Sequence, residues 1–183
     1  MIWCHGMVIC AKKTGQPRRT VDLQPLNVHA TRETHHTQSP FHQARSVPHR
    51  KLKSLFDAWI GYQSVPLYAD DRHFTTFITP WGCYWYCYIA SRDSYSRRYD
   101  QIVADIPHKT KCIDDTLLWA DSMQECFFQA ANWLDVCGRN SITLNPDKCL
   151  FSQEEVEFAG FTITMDNVRL CSKYLQAMAY GNS

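Results

Sequence analysis

The segment between residues 111 and 139 restricts the fold more than any other part of the chain. Two short runs, 111–113 and 116–120, are joined through the adjacent acids Asp114 and Asp115, and this pattern predicts a β-hairpin. Ser122 suits a helix N-cap and Gly138 a helix end, and the apolar periodicity between them predicts an amphipathic helix. Its predicted buried face comprises Met123, Cys126, Phe127, Ala130 and Leu134. A hairpin followed directly by such a helix indicates a sheet with helices on one face.

The rest of the chain predicts further hairpins and two more helices. Residues 7–12 and 18–23 predict one hairpin, and residues 73–79 and 83–89 predict another, because strand-forming runs flank a turn in each case. Residues 24–50 have no periodicity, which predicts a long irregular connection. The other predicted elements are a helix over 94–106, short strands near 141–144, 149–151, 155–159 and 161–165, and a weak helix after Ser172. The predicted class is α/β (α+β) with mainly antiparallel hairpins.

Composition excludes several classes of protein. No window approaches about eighteen uninterrupted apolar residues, so we expect no transmembrane helix. The N-terminus has no charged region before its apolar residues and no cleavage site, so we expect no signal peptide. The nine Cys are irregularly spaced without a Cys-x-x-Cys pair, which favours buried reduced thiols over zinc ligands. We expect an intracellular protein, cytoplasmic or particle-associated, that is neither secreted nor membrane-bound.

The small net charge of +1 conceals an asymmetry along the chain. Residues 1–53 carry nine Lys or Arg against two acids, a net of +7, whereas the remainder carries ten against sixteen, a net of −6. This distribution favours a polyanionic partner together with a carboxylate-rich site. An ordinary globular protein with a dipolar surface is the alternative.

Three carboxylates are the candidates for chemistry. Asp114 and Asp115 repel each other unless a cation or solvent screens them, although a lone Asp-Asp turn is commonly structural. Asp57 follows the apolar pair Leu55-Phe56, so it ends a predicted central strand. Placing that strand beside the 111–120 hairpin brings the three acids together. Mg²⁺ is the cation expected for carboxylates acting with phosphate oxygens.

Five motifs occur in the order seen in reverse transcriptases, and they most resemble those of gypsy-type (Ty3-like) LTR retrotransposons of animals. They are VDLQPLN (21–27), FDAWIGYQSVPL (56–67), TPWGCYWY (79–86), KCIDDTLLWA (111–120) and LNPDKCLFSQEEVEFAGFTIT (144–164). The resemblance implies the fingers and palm of a right-hand polymerase, with an antiparallel palm sheet backed by helices and the thumb missing. The implied domains are a fingers-like basic hairpin with its long connection (1–53), a palm-like catalytic domain (54–171) and a tail (172–183).

The resemblance also implies roles for individual residues. Asp57, Asp114 and Asp115 match the catalytic aspartates that hold two Mg²⁺ ions, for which Mn²⁺ is a substitute. Residues matching the nucleotide-binding positions are Lys12, Lys13, Arg18, Tyr62 and Lys148, and Gly160 matches the glycine of the primer-grip hairpin. The implied activity is RNA-directed DNA polymerisation, the implied partners are an RNA/DNA primer–template and dNTPs, and the implied context is a larger Pol polyprotein.

The chain departs from the family pattern in two places. Cys112 stands where the family usually has Tyr, and the Pro-Gln-Gly or Pro-Phe-Gly element expected after Tyr86 is missing. The second departure supports an alternative: a catalytically inactive retroelement relic that retains the fold and weak nucleic-acid binding. An unrelated metal-dependent phosphotransferase or nuclease is a third alternative. Individual matches also have structural alternatives, since Tyr62 would suit a core and Lys148 a turn, while the aromatic run 84–88 would suit either an amphipathic packed strand or a base-stacking platform.

Overall fold

The computed structural model describes residues 3–11, 15–31, 34–59 and 61–172, which form eleven strands and four α-helices. The strands are β1 (Met7–Ala11), β2 (Pro17–Val21), β3 (Leu52–Asp57), β4 (Phe77–Thr79), β5 (Gly82–Tyr84), β6 (Lys109–Cys112), β7 (Asp115–Ala120), β8 (Leu150–Gln153), β9 (Val156–Phe158), β10 (Phe161–Ile163) and β11 (Val168–Leu170). The helices are α1 (Gln24–His29), α2 (Pro40–Arg45), α3 (Arg92–Val103) and α4 (Met123–Arg139). Antiparallel sheets with helices confirm the predicted fold class.

The chain divides into two compact units that alternate along the sequence. The first contains residues 1–34 and 62–95, and the second contains residues 35–61 and 96–183. These bounds differ from the predicted 1–53, 54–171 and 172–183, because α2 packs on β6 and β10 and thereby joins the second unit. The fingers, palm and tail labels stay a prediction, and the predicted helix after Ser172 lies outside the described residues.

Two hairpins form most of the first unit. β1 pairs with β2, from Met7 opposite Val21 to Ala11 opposite Pro17, and β4 pairs with β5, so both predicted hairpins are confirmed. The second is shorter than predicted, because residues 69–75 form a 3₁₀ helix. At its end the Thr75 and Thr76 hydroxyls donate back to main-chain carbonyls three residues earlier, which favours the helical turn over a strand.

A four-stranded antiparallel sheet, in the order β6-β7-β3-β8, is the centre of the second unit. The two inner strands are the most buried, since Lys53–Phe56 and Thr116–Ala120 have less than a tenth of their surface exposed. A smaller sheet, β11-β10-β9, contributes Val156, Phe158 and Ile163 to the same apolar core. Residues of this core are removed from water together, and this burial is the main stabilising contribution to such a unit.

Helix α4 packs on this sheet through a face that shares Cys126 and Ala130 with the predicted one but is shifted from it. Ser122 caps its first turn by accepting a hydrogen bond from the Glu125 amide, as predicted. The buried row is Cys126, Ala130, Trp133 and Cys137, whereas Met123, Phe127 and Leu134 are more than half exposed. Neighbouring rows of this helix are both apolar, so periodicity identified the helix without selecting the row that faces the sheet.

The predicted irregular connection over 24–50 is wrong in part, because it contains α1 and α2. Each helix has six residues and a proline in its first turn, and Ser39 caps α2 by accepting from the His42 amide. Helices of under two turns are too short to show a period, so their start signals were the only sequence evidence. Among the described residues no helix has both the length and the apolar character needed to cross a membrane.

Candidate active site

The pairing of β3 with β7 brings two of the predicted carboxylates face to face. The register runs from Leu52 opposite Ala120 to Asp57 opposite Asp115. The Ala58 amide then donates to the Asp114 carbonyl over 2.8 Å, which ties the end of β3 to the turn before β7. Placement of the Asp57 strand beside the Asp114–Asp115 hairpin therefore agrees with the sequence prediction.

The turn itself lies one residue earlier than predicted. Ile113 and Asp114 form the two-residue tip, and Asp115 is the first residue of β7, paired with Cys112. Ile113 has φ +56°, in the left-handed region that a β-branched residue rarely adopts. The tight hairpin imposes this conformation, and it separates the two acids structurally: Asp114 occupies the turn, and Asp115 lies opposite Asp57.

The electrostatics of the pair favour a bound cation. Burial, followed by the negative charge of Asp57 and a side-chain hydrogen bond to it, raises the pKa of Asp115 from 3.8 to about 6, while Lys148 acts in the opposite direction. A carboxyl pKa raised by burial and by a neighbouring negative charge means that the ionised form of Asp115 is disfavoured here. A further positive charge at the pair would relieve that repulsion.

Lys148 is the residue whose ammonium contacts this pair. Its Nζ lies 2.9 Å from Asp57 Oδ2, and the hydrogen bond to Asp57 is the main cause of the raised pKa of Lys148. Lys148 ends a 3₁₀ turn (Pro146–Lys148) in which the Asn145 side chain accepts from the Asp147 amide. The structure thus brings Lys148 to the carboxylates, whereas the sequence suggested only its approximate register.

An open cavity of about 510 Å³ adjoins the carboxylates. Its lining includes Asp57, Asp114 and Asp115, together with Glu157 and Gly160. Gly160 has φ +89°, which glycine adopts without strain, and its carbonyl accepts from the Cys171 amide over 3.0 Å. Glu157 was missed by sequence reasoning, although an acid between the two apolar residues of β9 was a signal that it faces away from the core.

Behind the carboxylates, a buried hydrogen bond supports β7. Tyr99 Oη lies 2.8 Å from Thr116 Oγ1, and both residues are almost completely buried. The Tyr99 ring also meets the ring of Trp133 edge-on, at 6.0 Å between centroids. These contacts connect α3 and α4 to the strand that begins with Asp115, and they reduce the freedom of that strand.

The remaining predicted site residues belong to the first unit or lie outside the described residues. Arg18 is exposed on β2, opposite Cys10, and the Tyr62 ring lies 5.1 Å from the ring of Tyr95. Lys12 and Lys13 lie outside the described residues. The structure does not test the predicted contact of these four residues with a nucleotide, so that contact stays a prediction.

The aromatic run of the first unit remains exposed. Tyr84, Trp85 and Tyr88 are each about half exposed, so packing as an amphipathic strand does not bury them. They line an open, mainly apolar cavity of about 640 Å³ together with Trp81 and Arg19. Between Tyr86 and α3, Tyr88 forms an isolated bridge with Pro66, and the Ala90 amide donates to the Tyr62 carbonyl over 2.8 Å. No inserted turn interrupts this stretch, in agreement with the missing family element.

Within residues 3–11, 15–31, 34–59 and 61–172, no three His, Cys, Asp or Glu side chains converge as a preformed metal site. All nine Cys are free, which agrees with the predicted reduced thiols, but Cys4, Cys10, Cys83 and Cys87 are exposed rather than buried. Two facing carboxylates, Asp57 and Asp115, are therefore the donors that the described structure assembles.

Comparison with known proteins points to viral polyproteins, and no family model matches the chain. The putative enzymatic polyprotein of cassava vein mosaic virus is 23% identical over 169 residues, covering 87% of this chain and 25% of the viral protein. The enzymatic polyprotein of cauliflower mosaic virus (strain Strasbourg) is 22% identical over 158 residues, covering 83% of this chain and 23% of the viral protein. The chain thus spans about a quarter of the length of these relatives.

Solved structures of a foamy viral protease–reverse transcriptase are similar to this chain in fold. The foamy viral protease–reverse transcriptase dRH in complex with double-stranded DNA matches with a TM-score of 0.88 and 17% identity, over 96% of this chain and 32% of the other. The foamy viral protease–reverse transcriptase in complex with an RNA/DNA hybrid matches with a TM-score of 0.79 and 17% identity, over 96% and 24%. In its fold, this chain is therefore similar to these solved reverse transcriptase structures.

Proposed function

We propose that this chain is the fingers-and-palm part of a retroelement RNA-directed DNA polymerase, which transfers nucleotides from dNTPs to a primer 3′-hydroxyl. The observation that carries the proposal is Asp57 facing Asp115 beside the Asp114 turn, on a reverse transcriptase-like fold. The motifs favour a gypsy-type LTR retrotransposon as the source. Because its viral relatives are about four times longer, we further propose that the chain is one segment of a Pol polyprotein.

The donor set fits divalent magnesium. Mg²⁺ is commonly held by one or two protein carboxylates together with water and substrate phosphates, so the Asp57–Asp115 pair suffices without a preformed three-residue cage. Burial and the Asp57 charge raise the pKa of Asp115, so a positive charge at this position would stabilise its ionised form. We propose that Asp57, Asp114 and Asp115 hold two Mg²⁺ ions, with Mn²⁺ as a substitute. When bound, the metal would activate the primer hydroxyl and stabilise the departing pyrophosphate.

The other residues bind and orient the substrate in this proposal. Lys148 supplies a positive charge close to Asp57, where the phosphates of a nucleotide held by the carboxylate-bound metal would approach. By resemblance, Lys12 or Lys13 with Arg18 grips the triphosphate, and Tyr62 packs against the sugar. These assignments rest on matching motif positions and on residue chemistry.

An RNA/DNA primer–template is the proposed partner. The foamy viral relatives are complexes with double-stranded DNA and with an RNA/DNA hybrid. In this chain, the exposed aromatic cavity carries Arg19 at its edge, and such combinations hold unpaired bases by stacking while the cation contacts phosphate. We expect Trp85→Ala to weaken binding of a fluorescent primer–template with a single-stranded overhang more than binding of a blunt duplex.

Primer extension tests the catalytic proposal. Purified protein is incubated with primer–template, dNTPs and Mg²⁺ or Mn²⁺, and Asp114→Asn is compared with Asp166→Asn, which changes an exposed acid outside the site. We expect extension by the wild type and by Asp166→Asn, and none by Asp114→Asn. Absence of extension under every condition would refute catalysis.

A catalytically inactive relic is the second candidate function. The direct connection from Tyr86 to α3 favours it, because no glycine turn is present to approach a template or nucleotide closely. Salt-dependent binding of primer–template without extension is the expected result for a relic. Salt-dependent binding with extension identifies the polymerase instead.

A further inference from the structure

Lys148 is attached to Asp57 through both its backbone and its side chain. The Asn145 amide donates to the Asp57 carbonyl over 2.9 Å, and the Lys148 amide donates to the Asn145 carbonyl over 3.1 Å. The Lys148 ammonium then returns to Asp57 Oδ2 at 2.9 Å. The turn that carries the lysine is therefore built on the same residue that its side chain contacts.

The two partners of this ion pair differ in their freedom. The Asp57 side chain is 16% exposed, whereas that of Lys148 is 62% exposed. Asp57 is held at the end of a central strand, so its carboxylate has little room to move. The lysine side chain is long and mostly in solvent, so it can leave Oδ2 by rotating about its own bonds while its backbone stays in place.

We propose that Lys148 is a resident counter-cation of the Asp57–Asp115 pair, and that its ammonium has to leave Asp57 before a divalent ion binds there. Oδ2 of Asp57 is one of the few acceptor atoms available to a metal at this pair, and Lys148 occupies it. The lysine thus partly compensates the acids without metal and lowers the affinity of the protein for free metal. This inference rests on the proposed metal site and makes Lys148 a positioning residue for it.

The size of the effect follows from the exposure of the pair. Ion pairs with a largely solvated partner are weak, and losing one on metal binding lowers the affinity by a factor of up to about five. Lys148→Met keeps the length and apolar stem of the side chain but removes the charge. We therefore expect Lys148→Met to bind metal more tightly than the wild type, by up to about five-fold.

Direct titration with Mn²⁺, followed by electron paramagnetic resonance of the free ion, tests the inference without any need for activity. Lys148→Arg keeps the charge and is expected to bind Mn²⁺ as the wild type does. Lys51→Met is the matched control, since Lys51 pairs with Asp121 at the opposite end of β3, about 20 Å away along the strand. Removal of that distant charge is expected to leave the Mn²⁺ affinity unchanged.

Two outcomes would overturn the inference, and Asp57→Asn separates them. Wild-type binding that Asp57→Asn abolishes, but that Lys148→Met does not tighten beyond Lys51→Met, refutes the counter-cation role and leaves the proposed metal site intact. No Mn²⁺ binding by the wild type, Lys148→Met or Lys148→Arg refutes both the metal site and the counter-cation. Tightening in Lys148→Met alone supports both.

Discussion

Replacing Asp115 by asparagine should stabilise the metal-free protein at neutral pH while removing a proposed metal ligand. Asp115 faces Asp57 across the β3–β7 pair, and burial together with the Asp57 charge makes its ionised form unfavourable. Asparagine is close in shape, carries no charge and retains a donor for the Asp57 carboxylate. The substitution therefore relieves repulsion without opening a cavity.

The pKa of Asp115 determines both the magnitude and the sign of the change in the free energy of unfolding that Asp115→Asn should cause. It is raised from 3.8 to about 6, so the folded protein binds the proton more tightly than the unfolded chain. The contribution of Asp115 to the stability of the wild type is therefore most favourable below about pH 4, becomes less favourable between about pH 4 and pH 6, and is constant above that range. The difference between a pKa of 3.8 and one of about 6 corresponds to about 3 kcal/mol in the free energy of unfolding. This figure is an upper limit, because the carboxyl is only partly buried. We expect Asp115→Asn to gain about 1–3 kcal/mol near pH 7 and almost nothing near pH 4.

Urea denaturation in the presence of EDTA measures this difference, with the fluorescence of the six Trp residues as the signal. The melting temperature should rise near pH 7 by roughly 2–4 °C for each kcal/mol gained. Asp166→Asn serves as the control, because this exposed acid lies outside the site and makes a long ion pair, 3.9 Å, with Arg50. A gain of equal size at both pH values, or a loss near pH 7, would contradict the reasoning, because repulsion from Asp57 would then not be its source.

Three further predictions concern the scaffold around the carboxylates. Tyr99→Phe removes the partner 2.8 Å from the fully buried Thr116 hydroxyl and should lower the free energy of unfolding by about 1–2 kcal/mol in urea; an unchanged midpoint would contradict this. Leu117→Ala removes most of a fully buried side chain from the core and should lower the free energy of unfolding, measured by thermal denaturation, by about 2–5 kcal/mol. A decrease of under about 1 kcal/mol would mean that neighbouring side chains fill the cavity. Ile113→Gly relieves the backbone strain of the φ of +56° at the hairpin tip and should raise the free energy of unfolding by about 1 kcal/mol. A lowered melting temperature would contradict this prediction.

Much of the candidate site was predictable because its residues follow local rules. Asp57 ends an apolar strand, and the two acids lie between two short strand-forming runs, so strand and hairpin were expected side by side. The exact turn was not predictable, since Asp114 and Asp115 are chemically equivalent turn residues. Pairing of Cys112 with Asp115 selected Ile113 and Asp114 as the tip, despite the strain at Ile113.

The sequence by itself determined the hairpins, the capped helix α4 and the antiparallel class. It also determined which carboxylates come together, since it predicted Asp57 beside the Asp114–Asp115 hairpin. These follow from periodicity, caps and turn residues, which act within a few positions of one another. Only the tertiary structure decided that Lys148 reaches Asp57, 91 residues earlier, that Trp133 rather than Phe127 faces the sheet, and that residues 35–61 join the second unit. Such contacts depend on which of several similar apolar faces pack together, and packing selects among them through the volume and shape of the whole core.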